Sequence, residues 1–168
     1  MEILLRAIVY NMKLLVIILL FLSSSLCASE YNLSWYPKDN YFDSIKTPND
    51  IKFSLINTEG VWEDNKGSFG VMSCLISLLT NSNKETELEG FCQANDDSKD
   101  ETKFWVTLKR ISTETSAGVG KITYIAGTGI YKKVIGMSCP YAVNYVGESH
   151  GYGMIKQKCS EEFFRRLK

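Results

Sequence analysis

From Ile51 onward, short runs of apolar, β-branched and aromatic residues alternate with clusters of Gly, Asn, Asp and Ser. In "KFWVTLKRI", Phe104, Val106 and Leu108 fall on one face and Trp105, Thr107 and Lys109 on the other. That period of two marks a strand with one buried face. The same reading predicts strands near Ile51–Leu55, Val61–Glu63, Phe69–Leu79, Glu85–Gln93, Lys103–Ile111, Gly120–Ile125, Tyr131–Tyr145 (bent) and Tyr152–Cys159. Separators such as "EDNKG", "TNSNKE" and "ANDDSKD" supply residues that tolerate turn geometry. The run "VMSCLISLLT" would also suit a buried helix, but its flanking turns favour a strand. Residues 29–50 carry two prolines and no period, so they read as an irregular lead-in. The tail over 161–168, "EEFFRRLK", is too short to assign.

Strands this numerous and closely spaced must protect their edges, and closing the sheet does so. The expected fold over 51–160 is therefore all-β, a single antiparallel β-barrel of about eight strands, with a β-sandwich as the alternative. A chain of 168 residues leaves little room for a second domain.

The N-terminus has a different pattern. Lys13 precedes nine uninterrupted apolar residues, Leu14–Leu22, and then the small-residue stretch "SSSLCAS". A charged start, a short apolar core and a small-residue exit describe a secretory signal. The apolar run is well short of the ~20 residues that span a bilayer as a helix. Residues 1–28 are thus expected to be a signal peptide cleaved near Cys27–Ser29, giving an exported protein, periplasmic or extracellular, with no membrane span afterwards. Losing Arg6, Lys13 and Glu2 leaves 17 basic and 18 acidic side chains. That balance lacks the basic footprint of a nucleic-acid-binding domain.

Export changes the meaning of the cysteines. Cys74, Cys92, Cys139 and Cys159 remain, an even number that points to two disulfides in an oxidising compartment. No C-x-x-C spacing occurs and His150 is the single histidine, which argues against a metal set. Residue 83 lies midway between Cys74 and Cys92, inside "NSNK", and residue 149 lies midway between Cys139 and Cys159, inside "GESHG". Each pair is symmetric about a turn, as opposed residues of a hairpin are, with Cβ atoms ~4.5–5.5 Å apart. The expected bridges are Cys74–Cys92 and Cys139–Cys159, rather than either crossed pairing.

"SAGVGKITYIAGTGIYKKVIG", Ser116–Gly136, holds five glycines beside lysines and invites a phosphate-loop reading. The P-loop pattern fails, because Thr115 stands where its first Gly belongs and Ile122 follows Lys121. The dinucleotide fingerprint fails too, with Thr123 or Lys132 at its third Gly. Both glycine pairs lead into strand-like sequence, so no helix N-terminus is available for a phosphate. The glycines are expected to bend a sheet, with Gly127-Thr128-Gly129 as a tight link between strands and Gly136 as a kink. No cofactor is implied.

The segment "AGTGIYKKVIGMSCPY", with "GVWEDNKGSFGVMSC" and "EGFCQANDDSKDETKFWVTLKR" before it, resembles small exported bacterial β-barrel proteins related to the allene oxide cyclase and dirigent barrels. The resemblance covers roughly Gly60 to Cys159 and implies a barrel. Ile130 and Lys133 depart from the pattern, and no cyclase active-site residue can be matched. Gly60-Val61-Trp62 is also similar to the G-x-W of lipocalin-type barrels, whose Trp closes the barrel end.

Candidate chemistry is sparse. His150 sits in a turn and reads as a solvated loop residue. "NDDSKDE" superficially suggests a calcium loop, but Glu101 and Thr107 occupy the positions that need Gly and Glu, leaving a solvated acidic turn. Glu85, Glu87 and Glu89 alternate and are expected on an exposed face. Trp105, Tyr124, Tyr131, Tyr141, Tyr145 and Tyr152 cluster in the strand-rich half. Pointing inward, they would line an apolar pocket with hydroxyl handles, the usual make-up of a small-ligand site; otherwise they fill the core. Without an acid–base pair or nucleophile, the favoured reading is non-enzymatic binding of a small apolar ligand, or a structural role. The alternatives are a cyclase or isomerase acting on an apolar substrate, and a protein-interaction module.

Overall fold

A computed structural model describes residues 30–113, 117–146 and 151–168. The signal-peptide segment, its cleavage site and His150 lie outside the described residues. Eight antiparallel strands close into a barrel in sequence order, so the barrel, not the sandwich, is the fold. The strands are β1 (Tyr31–Lys46), β2 (Lys52–Asp64), β3 (Phe69–Thr80), β4 (Thr86–Asp96), β5 (Thr102–Ser112), β6 (Ala117–Gly127), β7 (Ser138–Val146) and β8 (Tyr152–Cys159). A 3-10 helix (Gly129–Val134) joins β6 to β7, and a short helix α1 (Glu161–Arg166) follows β8.

The expected alternation holds along β5, where Phe104, Val106 and Leu108 are buried. Following the pairing around the barrel from Ser44 runs through Ser54, Leu78, Leu88 and Arg110. Carried one residue past the Lys109–Lys121 pair, it continues through Gly120, Tyr141 and Gln157 and returns to β1 far below its start, at Leu33. That offset is the shear of a closed barrel with strongly tilted strands.

Three expectations need correction. Residues 29–50 are not an irregular lead-in, since most of them form β1, the longest strand. Tyr31, Leu33, Trp35 and Pro37 point inward while Tyr36 points out, so aromatics on both faces hide the alternation. The β1–β8 ladder lapses between Trp35 and Lys38, at Pro37, which has no N–H to give. Beyond it a bulge between Asp39 and Tyr41 resets which residues face inward. Second, the two short strands expected over Ile51–Leu55 and Val61–Glu63 are one strand, β2.

Third, the bent strand expected over Tyr131–Tyr145 begins instead as the 3-10 helix. Gly127-Thr128-Gly129 therefore leads from β6 into a helix rather than directly into a strand. Tyr131 and Val134, three residues apart, fall on one side of this helix and are both buried. Gly136 (φ +84°) ends the connection in a turn, not in a strand kink. The tail resolves into α1, capped at its N-terminus by Ser160, whose Oγ accepts from the Phe163 N–H at 3.3 Å.

Both expected disulfides are present, with Cα–Cα distances of 4.1 Å for Cys74–Cys92 and 4.8 Å for Cys139–Cys159. Cys74 stands directly opposite Cys92 across β3–β4. The register that sets Tyr141 opposite Gln157, continued by two residues, does the same for Cys139 and Cys159. All four cysteines face the interior.

Candidate functional site

The two ends of the barrel differ. At the end where β1 begins, the interior is filled by rings. Phe104 lies 5.3 Å from Trp62, 5.4 Å from Tyr124 and 4.6 Å from Tyr131, centre to centre. Phe163 of α1 seals the same end, 5.0 Å from Tyr31 and 4.9 Å from Tyr124. Tilted and edge-on pairs at these distances are favourable contacts in addition to their buried area. Trp62, late in β2, is buried at this end of the barrel.

Several polar groups trapped at this closed end are paired. Tyr131 donates its hydroxyl to the Asp96 carboxylate at 3.0 Å, and Lys99 Nζ approaches the same carboxylate at 3.3 Å. The Ser98 N–H donates to Asp96 at 3.1 Å, and the Ser98 hydroxyl bonds to it as well. The Asp96 side chain is fully buried, so the acidic turn is not simply solvated as expected. Gln157 Nε2 donates to the Tyr124 hydroxyl at 3.0 Å. Burial holds the phenols of Tyr31, Tyr124 and Tyr131 well above the usual tyrosine range, and for Tyr131 the Asp96 charge adds to the effect.

The opposite end has no such plug among the described residues. Inward positions there keep partial exposure: Asp39, Leu78, Ser112, Gly118 and Tyr145 are all half-buried. Its walls carry small or hydroxylic residues, including Ser54, Thr58 and Thr86. Thr58 Oγ1 donates to the Lys38 carbonyl at 3.0 Å, and the Thr80 and Thr86 hydroxyls share a bond of 2.9 Å.

A buried cation, Arg110, sits in this half. Gly118 makes room for it, because a Cβ there would lie 3.2 Å from both Cδ and Nη1 of Arg110. Gly120 makes room for the Tyr141 ring in the same way, and Gly153 for Tyr145. Burial raises the Tyr141 phenol and pushes Tyr145 up to about 12; the Asp39 carboxylate adds to the Tyr145 shift, and the Arg110 charge opposes both. The arrangement combines apolar wall, two phenol hydroxyls and one buried cation, with Tyr145 partly reached by solvent.

Of the six aromatic candidates, the structure brings together only Tyr141 and Tyr145 at this open end. Tyr124 and Tyr131 are packed into the closed end. Trp105 lies on the outer wall, where Nε1 donates to Gln93 at 3.1 Å, and Tyr152 is exposed beneath Lys38 Nζ at 5.5 Å. Arg110 was missed, yet the alternation that puts Phe104, Val106 and Leu108 inside continues to it. Glu85, Glu87 and Glu89 are exposed as expected.

Among the described residues, no group of three or more His, Cys, Asp or Glu side chains gathers to hold a metal ion. No helix among them is long and apolar enough to cross a membrane. No family model, curated protein or solved structure matches the chain.

Proposed function

We propose that this is an exported, non-enzymatic binding protein that takes a small apolar ligand into the open end of its barrel. The observation that carries the reading is the asymmetry of the interior. Inward side chains at the closed end are buried in ring contacts, whereas Leu78, Gly118 and Tyr145 at the other end are reached by solvent. Eight-stranded barrels are just wide enough for side chains to fill them or for one small ligand, and here the filling is concentrated at one end. Leu78, Leu88 and Val143 would contact the apolar body of the ligand, while Tyr141 and Tyr145 supply the few polar groups that orient it. The two interior disulfides are consistent with an oxidising compartment. Kinship with the allene oxide cyclase and dirigent barrels belongs to the same proposal, and rests on the glycine-rich segments quoted above.

Titration with a neutral fluorescent probe, N-phenyl-1-naphthylamine, tests the reading. Saturable binding of one probe per chain is expected, abolished by Ser54→Phe at the open end and retained by Leu75→Lys on the outer wall. Absence of binding, or binding indifferent to Ser54→Phe, would contradict it. The export component is tested by the intact mass of protein recovered from a secreting host, where retention of residues 12–28 would contradict it.

A further inference from the structure

The outside of the barrel has two chemically opposite faces. Outward positions of β2, β3 and β4 include Glu59, Glu63, Glu87 and Glu89 and no lysine or arginine. Outward positions of β6, β7 and β8 include Lys121, Lys156 and Lys158 and no aspartate or glutamate. Glu89 is held by Lys109 of β5 at 2.5 Å and Lys158 by Glu30 at 2.8 Å, which leaves both faces with their sign. The central strands of the faces, β3 and β7, lie four strands apart in a ring of eight, on opposite sides of the barrel.

Both faces are also apolar beyond what a solvated barrel wall needs. On the acidic face Leu75 is 67% exposed and stands opposite Phe91, 52% exposed, across β3–β4. Toward the closed end, Tyr36, Val61, Phe69 and Val71 line a groove flanked by the carboxylates of Glu63 and Asp97. The basic face shows Val119, 68% exposed, with Val146 and Met154. Contiguous apolar surface rimmed by charge marks an interaction site.

We propose that the partner is a second copy of this chain, docked head to tail, acidic face on basic face. Charge decides against the two-fold alternative. An isologous contact would set the Glu59, Glu63 and Glu87 side chains of one copy against the same residues of the other, and like-charge juxtaposition is costly. The heterologous contact pairs those carboxylates with Lys121 and Lys156 while burying Leu75 and Phe91 against Val119 and Met154. Because the two faces lie on opposite sides, the contact does not close on itself, and it produces open linear assemblies rather than a fixed dimer.

Sedimentation velocity of the mature, disulfide-bonded protein over a range of concentrations tests this. The weight-average mass should climb without a plateau at a dimer, and should fall as salt is raised toward ~1 M, where the Debye length shrinks to ~3 Å. Glu59→Lys with Glu87→Lys, and separately Lys121→Glu with Lys156→Glu, should each weaken association by roughly 10-fold or more. Mixing the two swapped proteins should restore it, since each supplies the face that complements the other. Circular dichroism of each variant checks that the barrel is intact. A monomer at every concentration overturns the proposal. So does a dimer that survives the lysine swap, or a mixture that fails to associate.

Discussion

Gly120 and Tyr141 are paired directly across β6–β7, and the tyrosine ring occupies the space that a side chain on residue 120 would need. A Cβ there would lie 2.5 Å from two ring carbons and 2.6 Å from the Lys109 carbonyl oxygen. The carbonyl belongs to the neighbouring strand, so the β5–β6 backbone would have to shift as well as the ring. Gly120→Ala is expected to lower unfolding free energy by about 1–3 kcal/mol, the usual penalty for overpacking. It should also displace Tyr141 from the open end and weaken probe binding. Urea unfolding and the probe titration, run on the same preparation, check both effects, and an unchanged midpoint would contradict the packing described.

The buried phenols predict alkaline sensitivity. The folded chain keeps the Tyr145 phenol protonated up to about pH 12, above its ordinary value of 10.0. Between those values the unfolded chain has released a proton that the folded chain retains, so stability falls as pH rises. The contribution is fully present below the unfolded value. The slope is about 1.4 kcal/mol per pH unit for each such tyrosine, and Tyr31, Tyr124, Tyr131 and Tyr141 are shifted in the same direction. Urea midpoints at pH ~8 and pH ~11 should differ steeply, and Tyr145→Phe should reduce the difference. Equal midpoints would show that these hydroxyls are not held neutral by the fold.

The disulfides close loops of 18 and 20 residues in sequence separation. Chain-entropy arguments assign roughly 3 kcal/mol to a loop of that size. Replacing Cys74 and Cys92 together by Ala is expected to lower unfolding free energy by about 2–5 kcal/mol, as loss of a native bridge commonly does in small exported domains. Denaturant titration of the oxidised parent and the double variant measures the difference. Non-reducing peptide mapping checks the connectivity, and a peptide joining Cys74 or Cys92 to Cys139 or Cys159 would contradict it.

The disulfide pairing was legible because hairpin symmetry is a local property: residues equidistant from a turn face each other whenever no bulge intervenes. The buried face of β5 was legible for a similar reason, since nothing interrupts its period of two. β1 was hidden because Pro37 and the bulge after Asp39 break the pattern; the proline sits where the β8 ladder lapses, and the bulge lies in the β1–β2 ladder. The 3-10 helix was hidden because Tyr131 is buried by a ring cluster drawn from β2, β5 and β6, a tertiary contact that its own neighbours do not announce. The same gap limited the candidate site. Trp105, Tyr124, Tyr131, Tyr141, Tyr145 and Tyr152 look alike as residue types, and only closure of the barrel sorts them into plug, outer wall and open end. Arg110 was recoverable by extending the β5 alternation two residues past Leu108.

The central claim is that the open end of the barrel is where a small molecule enters. Amide chemical-shift perturbation by N-phenyl-1-naphthylamine locates the binding most directly. The account predicts shifts at Ser54, Leu78, Gly118, Tyr141 and Tyr145, with Tyr31, Phe104 and Tyr124 unmoved at the closed end. Shifts confined to the outer faces, or no saturable shifts at all, would contradict it.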